Sequence, residues 1–433
     1  MQNVRLWARV LGVERSAVIE GVREDLDVGA IVVSVRVTKG NRHRCGHCLR
    51  RSPRYDGGEG RRRWRSLDAG TVRVFIEAEA PRVTCRTHGV TVALVPWARH
   101  GAGHTRAFDD QIAWLAVHTS KTAVTELMRV AWRTVGAIIT RVQADIDATV
   151  DRFDGLSRIG IDEISYKRGH RYLCVVVDHD TGRLVWVGVG HDEATLARFF
   201  VALGPERSAL ITHVSADAAT WIANTVKGYC PNAVLCADAF HVVKWATEAL
   251  DTVRRSAWND ARAVARTEGR GRPGPPGPNT PPRPGHQQAR GIRHARYALW
   301  KNPENLTERQ TTKLAWIAKT DPRLYRAYLL KEGLRTVFKL KGHAGKEALD
   351  RWLVWACRCQ IPAFVKLQTT IRRHRTEINA ALDHNLSNAL IESTNTKIRL
   401  LTRIAFGFKN PEALIALAML ALGSHKPALP NRK

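Results

Sequence analysis

The spacing of apolar positions changes along the chain and divides it into regions. Over residues 1–100, short apolar runs of strand length occur at Ala30–Val37 and Val72–Ala78. Residues 105–150 place apolar side chains three and four positions apart, which predicts helices. From Arg158 onward, short apolar runs alternate with helical segments, and residues 247–385 are mostly helical. The chain is therefore expected to hold several domains of mixed α and β structure.

The boundaries of these domains follow from the same pattern. A segment at 269–285, in which 12 of 17 residues are Gly or Pro, can form neither a helix nor a packed strand and predicts a loop. We expect an N-terminal domain at 1–100, a helical domain at 101–150, a core in two parts at 151–246 and 386–433, and an all-helical insertion at 247–385.

Five apolar runs between residues 158 and 237 predict one sheet. The first three form an antiparallel meander: Arg158–Tyr166, Tyr172–Asp178 and Leu184–Val189. A helix at Asp192–Leu203, a strand at Leu210–Ser215, a helix at Ala218–Gly228 and a strand at Ala233–Cys236 follow. The order β-β-β-α-β-α-β is that of the ribonuclease-H-like fold.

Acidic residues lie on or directly after the strands that this fold brings together. Asp162 lies in the first strand, and Asp217 follows the fourth, so their carboxylates should meet at one edge and repel each other unless a cation lies between them. Two Mg²⁺ or Mn²⁺ ions would suit such a site and would favour phosphoryl-transfer chemistry. Asp238 is an alternative to Asp217, because it begins the pattern Asp-x2-His with His241. Topology favours Asp217, the motif favours Asp238, and His241 could orient a carboxylate or contact a phosphate.

A third carboxylate is expected from a helix beside that edge. Positions 388, 392, 395 and 399 share one helical face, which presents Asn388, Glu392, Asn395 and Arg399. Glu392 would complete the metal site. Asn388, Asn395, Lys397, Arg399 and Arg403 are predicted to contact DNA. The alternative is an ordinary solvated helix face.

The N-terminal region contains two short motifs with the spacing of metal ligands. Cys45 and Cys48 form a C-x2-C pair, and Cys85 and His88 form a C-x2-H pair, which together supply four ligands for a structural Zn²⁺. His43 or His47 could replace His88. Strands between the pairs predict a zinc ribbon.

Three helices at Phe108–His118, Lys121–Met128 and Trp132–Asp145 are separated by short breaks. The second break fits the turn of a helix-turn-helix, whose third helix would place Arg133 and Arg141 in the major groove. A plain three-helix bundle is the alternative.

The net charge identifies the class of partner. The chain has 68 Lys and Arg against 40 Asp and Glu, a formal charge of +28, which attracts polyanions. Arg61, Arg62 and Arg63, near the cysteine pairs, are predicted to contact the DNA backbone. No apolar run reaches the length of about 18 residues that a membrane span needs, and a cytoplasmic protein associated with the nucleoid is expected.

The motifs together resemble the ISL3 class of insertion-sequence transposases, within the larger DDE group. The resemblance rests on CGHC at 45–48, IGIDEISYKRGHRY at 159–172, VSAD at 214–217, PNAVLCADAFHVVK at 231–244 and NALIESTNTKIRLLTRIAFGFKNPEAL at 388–414. These blocks cover nearly the whole chain. The chain departs from the class at Ala389 and Ser393, where relatives tend to have glycine, and in its Gly- and Pro-rich loop.

The resemblance implies a zinc ribbon, a helix-turn-helix and a ribonuclease-H-like core split by the helical insertion. It implies binding to terminal inverted repeats and target DNA, metal-dependent strand cleavage and strand transfer, and assembly of several copies on DNA. Two other classes are less favoured: a DNA-binding regulator that derives from a transposase and has lost catalysis, and a structure-specific nuclease on the same fold.

Overall fold

A computed structural model describes residues 2–217, 219–267, 284–384, 386 and 388–430. The chain divides into two compact units. The first comprises Met1–Arg152 and Ile398–Lys433, and the second comprises Phe153–Lys397. The Gly- and Pro-rich segment at 269–285 lies almost entirely outside the described residues.

The first unit begins with a helix, α1 (Gln2–Val10), and two small sheets. Its strands are β1 (Ala17–Asp25), β2 (Ala30–Val37), β3 (Arg54–Asp56), β4 (Arg61–Arg65), β5 (Arg73–Glu79), β6 (Arg82–Cys85) and β7 (Gly89–Val92). The larger sheet has the order β1-β2-β5-β4, and the smaller has the order β3-β6-β7. Alternate residues of β5 are buried, as a half-buried strand requires, and they pack around Trp64 and Trp97.

Three helices follow in the same unit: α2 (Arg106–His118), α3 (Lys121–Met128) and α4 (Trp132–Asp147). The side-chain oxygens of Thr105 and Ser120 accept the hydrogen bonds that cap α2 and α3. Arg129 ends α3 in the left-handed conformation, with φ of 52°, and so forms the predicted turn. The last helix of the chain, α17 (Pro411–Leu422), packs on α2 and α4 and adds a fourth helix to this group.

The second unit contains a five-stranded sheet. Its strands are β8 (Arg158–Lys167), β9 (Arg171–Asp178), β10 (Leu184–Val189), β11 (His213–Ala216) and β12 (Val234–Ala237), in the order β10-β9-β8-β11-β12. The first three strands are antiparallel, and β11 is parallel to both β8 and β12. This is the order that the predicted fold requires.

Three helices connect these strands: α5 (Glu193–Leu203), α6 (Pro205–Leu210) and α7 (Thr220–Tyr229). The expected strand at Leu210–Ser215 was placed too early, because Leu210 ends α6 and β11 begins at His213. Pro205 favours a helix start at this point, since its fixed φ suits the first helical turn. Ile161, Val214 and Ala216 face the core formed with α5 and α7.

The remainder of the second unit is helical. Its helices are α8 (Ala239–Thr267), α9 (Pro284–Arg293), α10 (Arg296–Trp300), α11 (Glu308–Thr320), α12 (Pro322–Val337), α13 (Gly342–Arg358), α14 (Pro362–Arg373), α15 (Arg375–His384) and the first part of α16 (Ala389–Ile404), with a 3-10 turn at Pro303–Asn305. Helix α8 passes without a break through residue 247, where the insertion was expected to begin. Its buried face forms one hydrophobic core with α9 to α15.

In the described ranges, no helix has the combination of length and apolar character that a membrane span requires.

Candidate active site

Three aspartates occupy neighbouring positions on three adjacent strands. Ala216 of β11 pairs in parallel register with Ile161 of β8 and with Ala237 of β12. The next residue along each strand direction is therefore Asp162, Asp217 or Asp238. Because Ile161 and Ala216 face the core on one side of the sheet, the alternation of side chains directs the acids to the other side.

His241, in the first turn of α8, lies between two of these acids. Its Nδ1 donates to Asp238 Oδ2 at 2.6 Å, and its Nε2 lies 3.4 Å from Asp217 Oδ2. Asp238 is 3 % exposed, whereas the Asp217 side chain is 38 % exposed. The buried Asp238 thus fixes the orientation of the imidazole, and the more accessible Asp217 faces the other ring nitrogen.

Helix α16 is attached to the same side of the sheet by two amide side chains. Asn395 Nδ2 donates to Asp162 Oδ2 at 2.8 Å. At the residue directly before the helix, Asn388 Oδ1 accepts a hydrogen bond from Ser215 Oγ at 2.5 Å, and Ser215 Oγ in turn accepts one from His179 Nε2 at 2.7 Å. Glu392 lies four residues after Asn388 and three before Asn395, so it shares the helix face that both contacts direct toward the aspartates.

The burial of this face differs from that of a solvated helix surface. Asn388 and Asn395 are only 1 % and 2 % exposed, although DNA contact was expected from both. Asn388 Nδ2 and Asn395 Oδ1 have no hydrogen-bond partner among the described residues. A buried polar atom without a hydrogen bond lowers the stability of the fold, so its presence calls for a functional explanation. Their protein contacts favour a role in positioning.

Burial and the neighbouring acids together shift the pKa values of the groups at this site. Burial raises the pKa of Asp162, and the charges of Asp238 and Asp217 raise it further against the opposing hydrogen bond from the backbone of Glu163. The hydrogen bond to Asp238 raises the pKa of His241. Burial also raises the pKa of Glu163, the neighbour of Asp162 on β8. A cation would relieve the repulsion among these carboxylates.

A second cluster lies in the N-terminal unit. One ligand atom from each of Cys45, Cys48, Cys85 and His88 lies within 4.8 Å of the others. Cys85 ends β6, and Cys45 forms an isolated bridge with Ala93. The three thiols and the imidazole have the composition and spacing of a tetrahedral zinc site. His88 is therefore the imidazole of the set, whereas His47 stacks on its ring at 4.9 Å between centroids.

The arginines that were expected to bind DNA differ in their surroundings. Arg63 contacts Asp25 at 2.9 Å and Glu77 at 3.0 Å, and Arg61 contacts Glu77 at 3.5 Å. Arg62 lies over the ring of Trp64, 5.7 Å from its centroid. Arg141 donates to the fully buried Asp109 at 3.1 Å. These contacts within the protein favour structural roles.

Other basic residues present exposed charge. Arg133 is exposed near the start of α4, and Lys397, Arg399 and Arg403 are exposed along α16, the last two in the first unit. The side chains of these residues are accessible to solvent, as a contact with a polyanion requires.

A basic concavity in the N-terminal unit was not predicted from the sequence. An open depression of about 440 Å³ is lined by four cationic side chains, from Lys39, Arg42, Arg51 and Arg54. In the part of the chain that the structure describes, no carboxylate oxygen lies within 4.0 Å of these four. Their signal in the sequence is weak, because they are spread among many other arginines.

Models of known protein families match most of this chain. A family model described as a transposase matches residues 159–418. A model of the helix-turn-helix domain of transposase family ISL3 matches 93–143, and a model of the zinc finger of the transposases of IS204, IS1001, IS1096 and IS1165 matches 41–88. The chain belongs to the ISL3 family of transposases.

Individual relatives agree with the family assignment. The transposase for insertion sequence element IS1557 from two Mycobacterium tuberculosis strains, CDC 1551 / Oshkosh and ATCC 25618 / H37Rv, is 66 % identical over 436 residues, which covers 100 % of this chain and 98 % of the relative. The transposase for IS1001 from Bordetella parapertussis is 25 % identical over 356 residues, which covers 81 % and 82 % of the two chains. The expected family and its domain types are thus confirmed.

Proposed function

We propose that the chain cuts DNA at the ends of an insertion sequence and joins those ends to target DNA, with Asp162, Asp217 and Glu392 as the ligands of catalytic divalent cations. The observation that supports this most directly is the attachment of α16 to the aspartates. The contact between Asn395 and Asp162 brings the face of Glu392 to the sheet edge where Asp162 and Asp217 are neighbours.

The residues present fit hard divalent cations. Carboxylate oxygens are the ligands that Mg²⁺ and Mn²⁺ prefer, and the parallel register of β8, β11 and β12 brings Asp162, Asp217 and Asp238 to neighbouring positions. When bound by these carboxylates, such ions would activate the attacking oxygen and stabilise the leaving oxygen at phosphorus.

Asp238 and His241 support the site without completing the ligand set. Asp238 accepts a hydrogen bond from Nδ1 of His241, which leaves Nε2 facing Asp217 and the position where a phosphate would approach. A carboxylate that fixes the tautomer of a histidine beside a metal site is a recurrent arrangement. The hydrogen bond to Asp238 raises the pKa of His241 and so favours the protonated imidazole, which could donate a proton to a phosphate oxygen.

The chemistry consists of two in-line displacements at phosphorus. Water first attacks a phosphodiester at the element end, the P–O3′ bond breaks, and a free 3′-hydroxyl and a 5′-phosphate result. The 3′-hydroxyl then attacks a phosphodiester of target DNA and displaces its 3′-oxygen. No protein nucleophile enters either step, so the side chains act only by binding, orientation and proton transfer.

The surfaces that would hold DNA are the exposed cations. Lys39, Arg42, Arg51 and Arg54 line a concavity and suit a phosphate backbone, and Arg133 of α4 suits the major groove. Zn²⁺ bound by Cys45, Cys48, Cys85 and His88 would be structural, since all four positions are filled by protein. Because an element has two ends to join, we expect a homo-oligomer on DNA.

The decisive experiment measures strand cleavage on a labelled duplex that contains the inverted repeat flanking the gene, with Mg²⁺ or Mn²⁺. The wild type should release a 3′-hydroxyl, and Asp162→Ala, Asp217→Ala and Glu392→Ala should each lower the rate by about 1,000-fold or more, the effect of losing several kcal/mol of transition-state stabilisation. Glu206→Ala, which removes an exposed acid from α6, is the matched control and should cleave normally.

Two results would contradict the proposal. If the wild type binds the duplex but never cleaves it with either metal, the chain acts as a DNA-binding protein only. If all three variants cleave like the wild type, the catalytic residues lie elsewhere.

A further inference from the structure

An exposed aromatic ring lies beside the proposed site and outside the hydrophobic core of the helical part. Phe240 is 59 % exposed, although its neighbours Asp238 and Val242 are 3 % and 0 % exposed. Ala237 and Val242 belong to the hydrophobic core of the helical part, whereas Phe240 does not. Burying a phenylalanine stabilises a protein by about 1.5–3 kcal/mol, so stability alone gives no reason for this placement.

The ring is nevertheless held in a defined position. Phe240 lies in the first turn of α8, and its backbone N–H donates to Asp238 Oδ1 at 3.1 Å. Within the described residues, its one ring neighbour is His241, edge to face, with centroids 5.7 Å apart and planes at 89°. The backbone is thus fixed by one carboxylate of the site, and the ring stays next to the histidine that faces Asp217.

Resting on the proposed function, we infer that Phe240 is a stacking surface for a nucleobase, namely the base of a nucleotide next to the cleaved phosphodiester. Every base has a π face, and stacking on an aromatic side chain contributes about 1–3 kcal/mol per base without regard to sequence. His241 links the two residues, since its ring contacts Phe240 and its Nε2 lies 3.4 Å from Asp217 Oδ2, so a phosphate at Asp217 would bring a flanking nucleoside within reach of Phe240. Inside a duplex that base is stacked on its neighbours, and unstacking costs a few kcal/mol. The ring would offset part of this cost and hold the opened end.

The experiment is a double-mutant cycle in which the ring of Phe240 and the DNA base are removed separately and together. Cleavage is measured for the wild type and Phe240→Ala on intact duplex and on duplexes with an abasic nucleotide on either side of the cleaved bond. Phe240→Ala should cleave intact DNA about 5- to 150-fold more slowly, which is the stacking range expressed at 1.4 kcal/mol per tenfold. On one of the abasic duplexes, this ratio should fall to about one, because no base remains to stack.

Further variants separate an aromatic role from bulk and from folding. Phe240→Trp should retain near wild-type cleavage, whereas Phe240→Leu should behave like Phe240→Ala, because it keeps apolar volume without a π face. Tyr297→Ala removes another exposed aromatic, 64 % exposed in α10, and should cleave like the wild type. In a binding readout, 2-aminopurine at the flanking position should show stronger quenching with the wild type than with Phe240→Ala.

Each contrary outcome is distinct. If Phe240→Ala cleaves intact DNA like the wild type, or loses the same factor on intact and abasic DNA, or is rescued by Leu as well as by Trp, the stacking inference is wrong while the proposed function stands. If Asp162→Ala cleaves as fast as the wild type on the same substrates, the proposed function itself is wrong.

Discussion

Replacing Asp238 by asparagine would separate the two candidates for the second metal ligand. Asp238 is 3 % exposed, and its carboxylate accepts hydrogen bonds from His241 Nδ1 at 2.6 Å and from the Phe240 N–H at 3.1 Å. Asparagine has almost the same size, so the perturbation is mainly the loss of charge. The acceptor of the hydrogen bond from His241 becomes a neutral amide oxygen.

The magnitude follows from that bond. A hydrogen bond to a charged group contributes about 1.5–3 kcal/mol and a neutral one about 0.5–1.5 kcal/mol. The difference of roughly 1–2 kcal/mol corresponds to about 5- to 30-fold in kcat/KM at 1.4 kcal/mol per tenfold. This agrees with the range of about 10- to 100-fold for residues that orient a ligand of a metal site.

The pH dependence gives a second readout of the same change. Asp238 raises the pKa of His241, so Asp238→Asn should lower it. If the protonated imidazole is the active form, the rate of the variant should begin to fall at a lower pH than that of the wild type. Asp217→Asn should instead lower cleavage by about 1,000-fold, as expected for several kcal/mol of lost cation binding.

The assay combines strand-cleavage kinetics with Mn²⁺ titration by electron paramagnetic resonance, and thermal unfolding confirms that both variants are folded. Asp238→Asn should bind Mn²⁺ with near wild-type affinity, and Asp217→Asn should bind it far more weakly. The reasoning is refuted if Asp217→Asn keeps more than a tenth of the activity while Asp238→Asn abolishes both cleavage and Mn²⁺ binding.

Three further predictions concern the first unit. Cys85→Ser should lower the zinc content below one ion per chain, as measured by mass spectrometry of the metal, whereas Cys357→Ser, at an exposed cysteine, should leave it unchanged. Burial raises the pKa of Asp109 to about 6, so between about pH 4 and pH 6 the folded state holds a proton that the unfolded state has lost. The free energy of unfolding should therefore decrease as the pH rises through this range, and urea unfolding curves of Asp109→Asn should lack that decrease. Arg54→Ala should reduce the salt dependence of DNA binding by about one counterion, whereas Arg63→Ala should leave it unchanged, since Arg63 is paired with Asp25 and Glu77; equal slopes for both variants would contradict this.

Local signals were sufficient to predict much of the fold. The strand at Leu184–Val189 and the helix at Lys121–Met128 have the predicted bounds, because apolar periodicity is bounded there by a turn and by the capping residue Ser120. The order of the strands then fixed the neighbours of Asp162 within the sheet. The short helix before β11 was missed because Leu210 and Ile211 form an apolar run that is equally typical of a strand.

Contacts between distant residues could not be predicted in this way. Ser215 and Asn388 are 173 residues apart, and Asp162 and Asn395 are 233 apart. Helical spacing alone placed the two amides on one polar face, and a polar face ordinarily meets solvent. Only the packing of that face on the sheet reveals that both amides are buried. Likewise, the pairing of Arg63 with Asp25 and Glu77 depends on strand register, which the spacing of arginines does not indicate.

The separation of 233 residues between Asp162 and its partner Asn395 also sets an order of events during synthesis. The ribosome produces the zinc ribbon, the three helices and the first two acids long before α16, and domains generally fold in that order. A chain interrupted before α16 lacks Glu392 and also α17, which packs on α2 and α4. Under the proposed function, the last helices to be synthesised would therefore complete both the helical DNA-binding unit and the metal site, so that cleavage would begin only once the chain is finished.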